Sequence, residues 1–201
     1  MTVPLRWLDD TPPARLPAGV TWGSPLPRGA TSSLDALRLR GVDGAPVPAQ
    51  FWPLATWPDG SLKWVGAAIG ATDAPGEYEL RMDPDAAAPA SEQAITVQAT
   101  EGALTVDTGV VRVRFGDAGG EALVRSIERD GVVVSEHVHL VSLLQDEVSE
   151  DGSTGPRAQF RSQVDAVHLE QGGPIRAVVK IDGHHRSDDG TREWLPFTVR
   201  F

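Results

Sequence analysis

The 201-residue chain contains no cysteine, and that single absence removes thiol catalysis, cysteine-ligated zinc, iron–sulfur clusters and disulfides together. Lysine is almost missing too, with Lys63 and Lys180 the only two, so the positive charge rests on arginine. Lys and Arg together number 18 against 28 Asp and Glu, a formal charge of −10. Such a surface repels phosphate backbones and anionic lipid headgroups, which argues against nucleic acid and membrane partners. No run of about eighteen apolar residues occurs, and the N-terminus MTVPLRWLDD lacks the apolar stretch and small-residue cleavage site of a leader. The expectation for the chain as it stands is cytoplasmic; secretion is the alternative if a leader has been removed. There is no phosphate-cradling glycine loop ending in Lys-Ser/Thr, no G-x-G-x-x-G and no G-x-S-x-G elbow, so nothing nominates a nucleotide enzyme or a serine hydrolase.

What the chain has in quantity is Gly (21) and Pro (16), recurring every few residues and interrupting any helical period. Short runs bounded by turn residues dominate instead: Ser33–Leu39, Leu62–Ile69 after Pro58-Asp59-Gly60, Gly76–Met82 and Ile95–Gln98. The second half alternates more cleanly. Leu104 and Val106, then Val111, Val113 and Phe115, interleave with polar residues, and Asp130-Gly131 splits Ile127–Val134 as a two-residue hairpin does. With His137–Leu144, Ala158–Gln163, Val164–Glu170, Ile175–Asp182 and Trp194–Phe201, about a dozen strands are expected and the fold class is all-β, with under about 15% helix. The polar stretch Asp83–Ser91 separates a Trp/Pro-rich half from a Val/Arg/Glu-rich half, giving expected domains 1–98 and 99–201. The acidic segment Asp146–Pro156 reads as a solvated loop in preference to a Ca²⁺ site.

Chemistry-bearing residues gather in three places. Trp22, Trp52, Trp57 and Trp64 lie among Asp, Ser and Lys, a mixture that suits a sugar surface, while the competing reading makes most of them core. Within that competition Trp52 and Trp64 are expected to be buried. Trp57 and Asp59, at the turn, are the expected substrate-binding residues. Lys180 to Thr191 brings together His184, His185, Arg186, Asp188 and Asp189. A His with an Arg serves β-elimination of a uronate, the base taking the α proton and the cation neutralising the carboxylate. Adjacent His on a strand point apart, however, and Asp188-Asp189-Gly190 is first a turn. His137 and His139 share an expected strand face with no third ligand near. No metal and no cofactor is expected, and the catalytic residues stay unassigned.

In this order, Trp22-Gly-Ser-Pro-Leu-Pro-Arg-Gly29, Val47-Pro-Ala-Gln50, Ala55-Thr-Trp-Pro-Asp-Gly-Ser-Leu-Lys-Trp-Val65, Asp107-Thr-Gly109 leading into Val111–Phe115, and Pro196–Phe201 resemble the N-terminal part of the rhamnogalacturonan exolyase-like (PcRGLX/YetA-like) family. The resemblance implies a RIFT-type β-barrel, a central β-sandwich and a C-terminal α/α toroid. This chain would cover the barrel and the first part of the sandwich. It implies a non-catalytic segment of a polysaccharide-lyase-like protein acting on pectin-type carbohydrate, with the toroid of the same chain as its missing partner. The alternative is a stand-alone glycan-binding or protein-interaction module. Leu195, Phe197, Val199 and Phe201 fall on one face of the last strand, so the sandwich is expected to be cut there, with an open edge prone to self-association.

Overall fold

A computed structural model describes residues 1–15, 18–72, 75–91, 94–100, 103–145 and 156–201. Among them are sixteen strands, one 3₁₀ turn and no α-helix. In chain order the strands are β1 (Thr2–Leu5), β2 (Val20–Pro25), β3 (Leu37–Gly41), β4 (Pro46–Val47), β5 (Gln50–Thr56), β6 (Leu62–Ile69), β7 (Tyr78–Met82), β8 (Thr96–Thr100), β9 (Ala103–Asp107), β10 (Val111–Phe115), β11 (Val124–Arg129), β12 (Val132–Val138), β13 (Val141–Gln145), β14 (Arg157–Gly172), β15 (Ala177–Ser187) and β16 (Glu193–Arg200). The protein is all-β. Met1–Ala94 with Pro174–Arg176 form one compact unit, and Ile95–Gly173 with Ala177–Phe201 form the other. The division falls after Ala94 rather than after Gln98 because Thr96–Thr100 pairs with β9 in the second unit.

The first unit is a barrel built from two antiparallel sheets, β1-β7-β3-β4 and β2-β6-β5. Four of its strands, β1, β2, β4 and β5, lie outside the sequence-based set, and each contains proline. Proline cannot donate to a ladder and is confined to edges and bulges, and every one of these strands is at a sheet edge. Pro53 also flanks a register shift against β6. The strand expected from Ser33 starts late: the Ser33 hydroxyl accepts from Asp35 N–H and closes a 3₁₀ turn over Leu34–Ala36 first. The core is aliphatic, formed by Leu26, Leu37, Leu62, Val65 and Leu80, with Phe51 packed against it.

That core overturns the expectation that most of the tryptophans from Trp22 to Trp64 are core, with Trp52 and Trp64 buried. None of the first unit's indoles is fully buried, and Trp64 is 42% exposed. The reason is local. On the face of β6 away from the core, Trp52 sits opposite Gly66 and its ring lies over that glycine, while Trp64 packs near Gly23. The rings thus cover glycine gaps in the sheet instead of filling its interior. Arg176 stacks on the Trp52 ring at 4.8 Å, and Gln50 Oε1 accepts from Ile175 N–H at 3.0 Å and Arg176 N–H at 2.8 Å.

The second unit is a β-sandwich of a five-stranded sheet, β12-β11-β10-β9-β8, and a four-stranded sheet, β13-β14-β15-β16. Leu104, Val106, Phe115, Leu123 and Val124 meet Val164, Val179 and Ile181 in its core. Asp130 and Gly131, with φ of 52° and 77°, make the expected two-residue hairpin. His137–Leu144 is not one strand. His137 takes φ 52°, and the chain changes sheets across His139-Leu140, so His137 and His139 do not share a regular strand face. The two strands expected over 158–170 are one, bent by register shifts at Val164/Ala166 and Leu169/Gln171. The acidic segment 146–155 lies outside the described residues.

On β16 the expected apolar row is broken at its start. A register shift between Gly183 and His185 leaves Leu195 exposed with φ 43°, and Trp194 takes the inward position opposite His185, against Phe160. Phe197 and Val199 pack on the core, and Phe201, 45% exposed, meets Phe115 edge-on. Phe197 sits opposite Gly183 with its ring against the glycine, the same device as Trp52 on Gly66.

Two expectations follow. A methyl group at position 66 would overlap the Trp52 indole, so Gly66→Ala should cost about 1–3 kcal/mol in urea unfolding. In a Trp52→Ala background the same substitution should cost less, and an equal cost in both would show that the ring is not the obstacle. In the β15–β16 turn, Asp189 accepts from the Ser187 hydroxyl (2.5 Å) and from the Thr191 N–H (3.0 Å) and hydroxyl (2.9 Å), which lowers its pKa from 3.8 to about 2. A depressed carboxylate stabilises the fold above its ordinary pKa and loses that contribution as pH falls through the folded value. Asp189→Ala should therefore lower the melting temperature at neutral pH, with the difference closing between 3.8 and about 2.

Candidate functional site

The residues expected to bind substrate lie where two loops of the barrel are tied together. Asp59 Oδ1 accepts from the Ser61 hydroxyl (2.6 Å) and N–H (3.0 Å), and Oδ2 accepts from Arg28 Nε (2.8 Å). The Ser61 hydroxyl in turn accepts from Gly29 N–H at 2.9 Å, and Leu62 N–H donates to Thr31 O at 2.8 Å. Hydrogen bonding from Ser61, followed by Arg28, holds the Asp59 carboxyl below the usual range. Trp57 is half-buried, donating its indole N–H to Leu26 O at 3.1 Å, and Lys63 lies over its ring at 4.7 Å. Lys63 is the extra residue at a register shift of β6 against β5, between the Leu62–Thr56 and Trp64–Ala55 pairs. The Pro58-Asp59-Gly60 turn is thus a clasp: both carboxylate oxygens and the indole N–H are spent within the chain, and Lys63 covers one face of the Trp57 ring.

The histidine cluster divides as alternation requires. His185 is 7% exposed, with Nδ1 2.9 Å from Leu195 O and its ring edge-on to Phe197, so it fastens the bulge of β16 to β15. His184 is on the opposite face, Nδ1 at 3.0 Å from Asp165 Oδ1 and Nε2 at 3.6 Å from Glu193 Oε1. Its Nε2 is shielded from solvent and makes no hydrogen bond. A base must come within hydrogen-bonding reach of the proton it removes, and a shielded nitrogen does not offer itself to a polymeric substrate. No group of three or more His, Cys, Asp or Glu stands ready for a metal among the described residues.

Two depressions mark the outer faces of the sandwich. One, about 390 Å³, is lined by Arg161, Gln163, Arg186, Ser187 and Asp188 on the four-stranded sheet. Its arginines are directly opposed across the strands but engaged: Arg161 with Asp188 at 3.2 Å, Arg186 with Gly190 O at 3.3 Å. The other, about 300 Å³, lies on the five-stranded sheet over Thr96, Gln98, Thr105, Asp107, Arg112 and Arg114, bordered by Glu128. Here Arg112 holds Asp107 at 2.9 Å and Glu128 at 3.7 Å, and Asp107 Oδ1 also accepts from Gly109 N–H at 2.8 Å. Sequence reasoning used Val111–Phe115 for its apolar face and passed over the arginines opposite; the same period-2 pattern that buries Val113 and Phe115 points Arg112 and Arg114 out.

Comparison with known proteins divides the chain as the fold does. Residues 1–83 match the PcRGLX-like N-terminal RIFT barrel domain, and residues 95–201 match the PcRGLX-like protein central beta sandwich domain. The uncharacterized protein YetA of Bacillus subtilis (strain 168) is 29% identical over 200 residues, an alignment that takes in 98% of this chain and 22% of the relative. The chain therefore spans about a fifth of the length of the curated relative it matches. With a barrel and a sandwich in the family's order and one family domain covering more than half of its residues, this chain belongs to the PcRGLX-like family.

Proposed function

We propose that the chain is the non-catalytic barrel and sandwich part of a polysaccharide-lyase-like protein acting on carbohydrate of the rhamnogalacturonan, or pectin, type. The observation that carries this is the succession of the two family domains along one chain, 1–83 and then 95–201. The catalytic cleft is assigned to an α/α-toroid part of the same protein. The shielded Nε2 of His184 and the structural bonds of His185 support leaving elimination chemistry out of this segment. In this proposal Trp57 offers a ring face to sugar, and Asp59 acts by positioning Arg28 beside it.

The alternative, a self-standing glycan-binding module, is favoured by one observation, the polar depression over Arg114. Assaying the chain and the longer protein side by side separates the two. Rhamnogalacturonan incubated with this chain alone should show no rise in the ultraviolet absorbance of unsaturated uronate, whereas the longer protein should produce it. A rise with the chain alone, abolished by His184→Ala, would overturn the proposal; no rise with either would favour the module.

A further inference from the structure

We propose that the outward face of the five-stranded sheet binds a uronate-bearing oligosaccharide, with Arg114 taking the carboxylate and the neutral side chains around it taking hydroxyls. This rests on the carbohydrate reading of the preceding section and goes beyond it by naming the face and the sugar chemistry.

The argument begins with charge. In a chain of formal charge −10, an arginine has many carboxylates to choose from. In this depression both acidic residues are held by Arg112. Arg114, exposed on the same face two residues on, makes no hydrogen bond or ion pair among the described residues. Its fork of N–H donors is free, and a guanidinium matches a carboxylate with two parallel hydrogen bonds.

Its directly opposed neighbours are uncharged and equally uncommitted, with Asp107 and Glu128 two residues further along the same two strands. The register places Thr105 opposite Arg114 on one side and Ser126 on the other, with Gln98 beyond Thr105. Among the described residues, the side chains of Thr96, Gln98, Thr105 and Ser126 have no bonding partner. At about 4.8 Å between strands, the row Gln98–Thr105–Arg114–Ser126 extends roughly 14 Å, long enough for consecutive sugars instead of one small anion. A volume near 300 Å³ is at the small end of ligand sites, about 300–1,000 Å³. No aromatic ring lines it, so recognition here works through charge and hydrogen bonds, distinguishes an acidic sugar from its neutral counterpart, and weakens with salt.

The test is a titration of this chain with a short oligogalacturonate and with the same oligomer fully methyl-esterified, followed by amide NMR and calorimetry. Shifts should concentrate at residues 96–98, 105–107, 112–114 and 126–128, for the acid form only. Arg114→Gln, at an exposed position, should leave the remaining spectrum intact and weaken binding about tenfold or more. Arg114→Lys should recover part of the affinity, and Arg161→Gln on the opposite sheet none of the loss. Equal binding of the ester overturns the uronate assignment. Binding of the acid form that ignores Arg114→Gln overturns the site but leaves the carbohydrate reading standing. No binding by this chain at millimolar oligomer overturns the inference, whatever the longer protein does to rhamnogalacturonan, and it is the lyase assay that decides that reading.

Discussion

A flat antiparallel sheet neither closes into a barrel nor wraps a sandwich core; its strands have to bend. In both units a bend occurs where a glycine faces an aromatic ring across the ladder. Trp52 covers Gly66 next to the register shift at Pro53/Ala55, and Phe197 covers Gly183 next to the shift at Gly183/His185. The extra residue of a bulge kinks one strand and increases its twist. The glycine opposite lets the ring lie down on the sheet, so the kinked site stays covered where a methyl group would hold the ring off. In the second unit the bulge has a further fastening, since His185 is buried to bond Leu195 O. A histidine that resembles a catalytic base in the sequence is therefore committed to sheet geometry.

The all-β class and most strands of the sandwich were legible because both physical signals agreed there. Alternation places Leu104, Val106, Val113 and Phe115 in the core, and Asp130-Gly131 supplies the positive φ that a tight hairpin needs. The barrel was harder to read. Its edge strands β1, β2, β4 and β5 carry prolines, which count against a strand in a sequence, yet at an edge the missing donor costs little. Deviations within the sandwich came from backbone irregularities with no composition signal: His137 and Leu195 at positive φ, and the paired shifts that bend β14. Each moves the inward face by one residue, which is why Trp194 replaces Leu195 over Phe160.

The candidate segments stand out in the sequence, but what their residues bond to was less visible. Trp57, Asp59 and Gly60 draw attention as a polar-aromatic motif, and their bonds go first to holding the 26–31 and 57–61 loops together. A turn that must be closed by specific side chains looks, in one dimension, much like a binding motif. The reverse applies to Arg112 and Arg114. Polar residues alternating with core positions look like solvated filler, and only the cross-strand register reveals that Arg112 contacts both acids while Arg114, among the described residues, bonds neither.

The two units consequently present different chemistry outward. The β2-β6-β5 sheet shows apolar surface, with Trp64 and Leu54 exposed beside Gly23. Rings of this kind suit the C–H faces of sugars, and their attraction is insensitive to ionic strength. The five-stranded sheet shows hydroxyls, an amide and the Arg114 guanidinium, whose attraction reaches only about a Debye length, roughly 8–10 Å at moderate salt. Under the proposed carbohydrate reading, a neutral sugar would gain from the first surface and an acidic one also from the second. Affinity for a polymer that mixes neutral and acidic sugars would thus be divided between a salt-independent part carried by rings and a salt-dependent part carried by one arginine, and the chain's large negative charge confines the second part to the short range over which Arg114 outweighs the surrounding carboxylates.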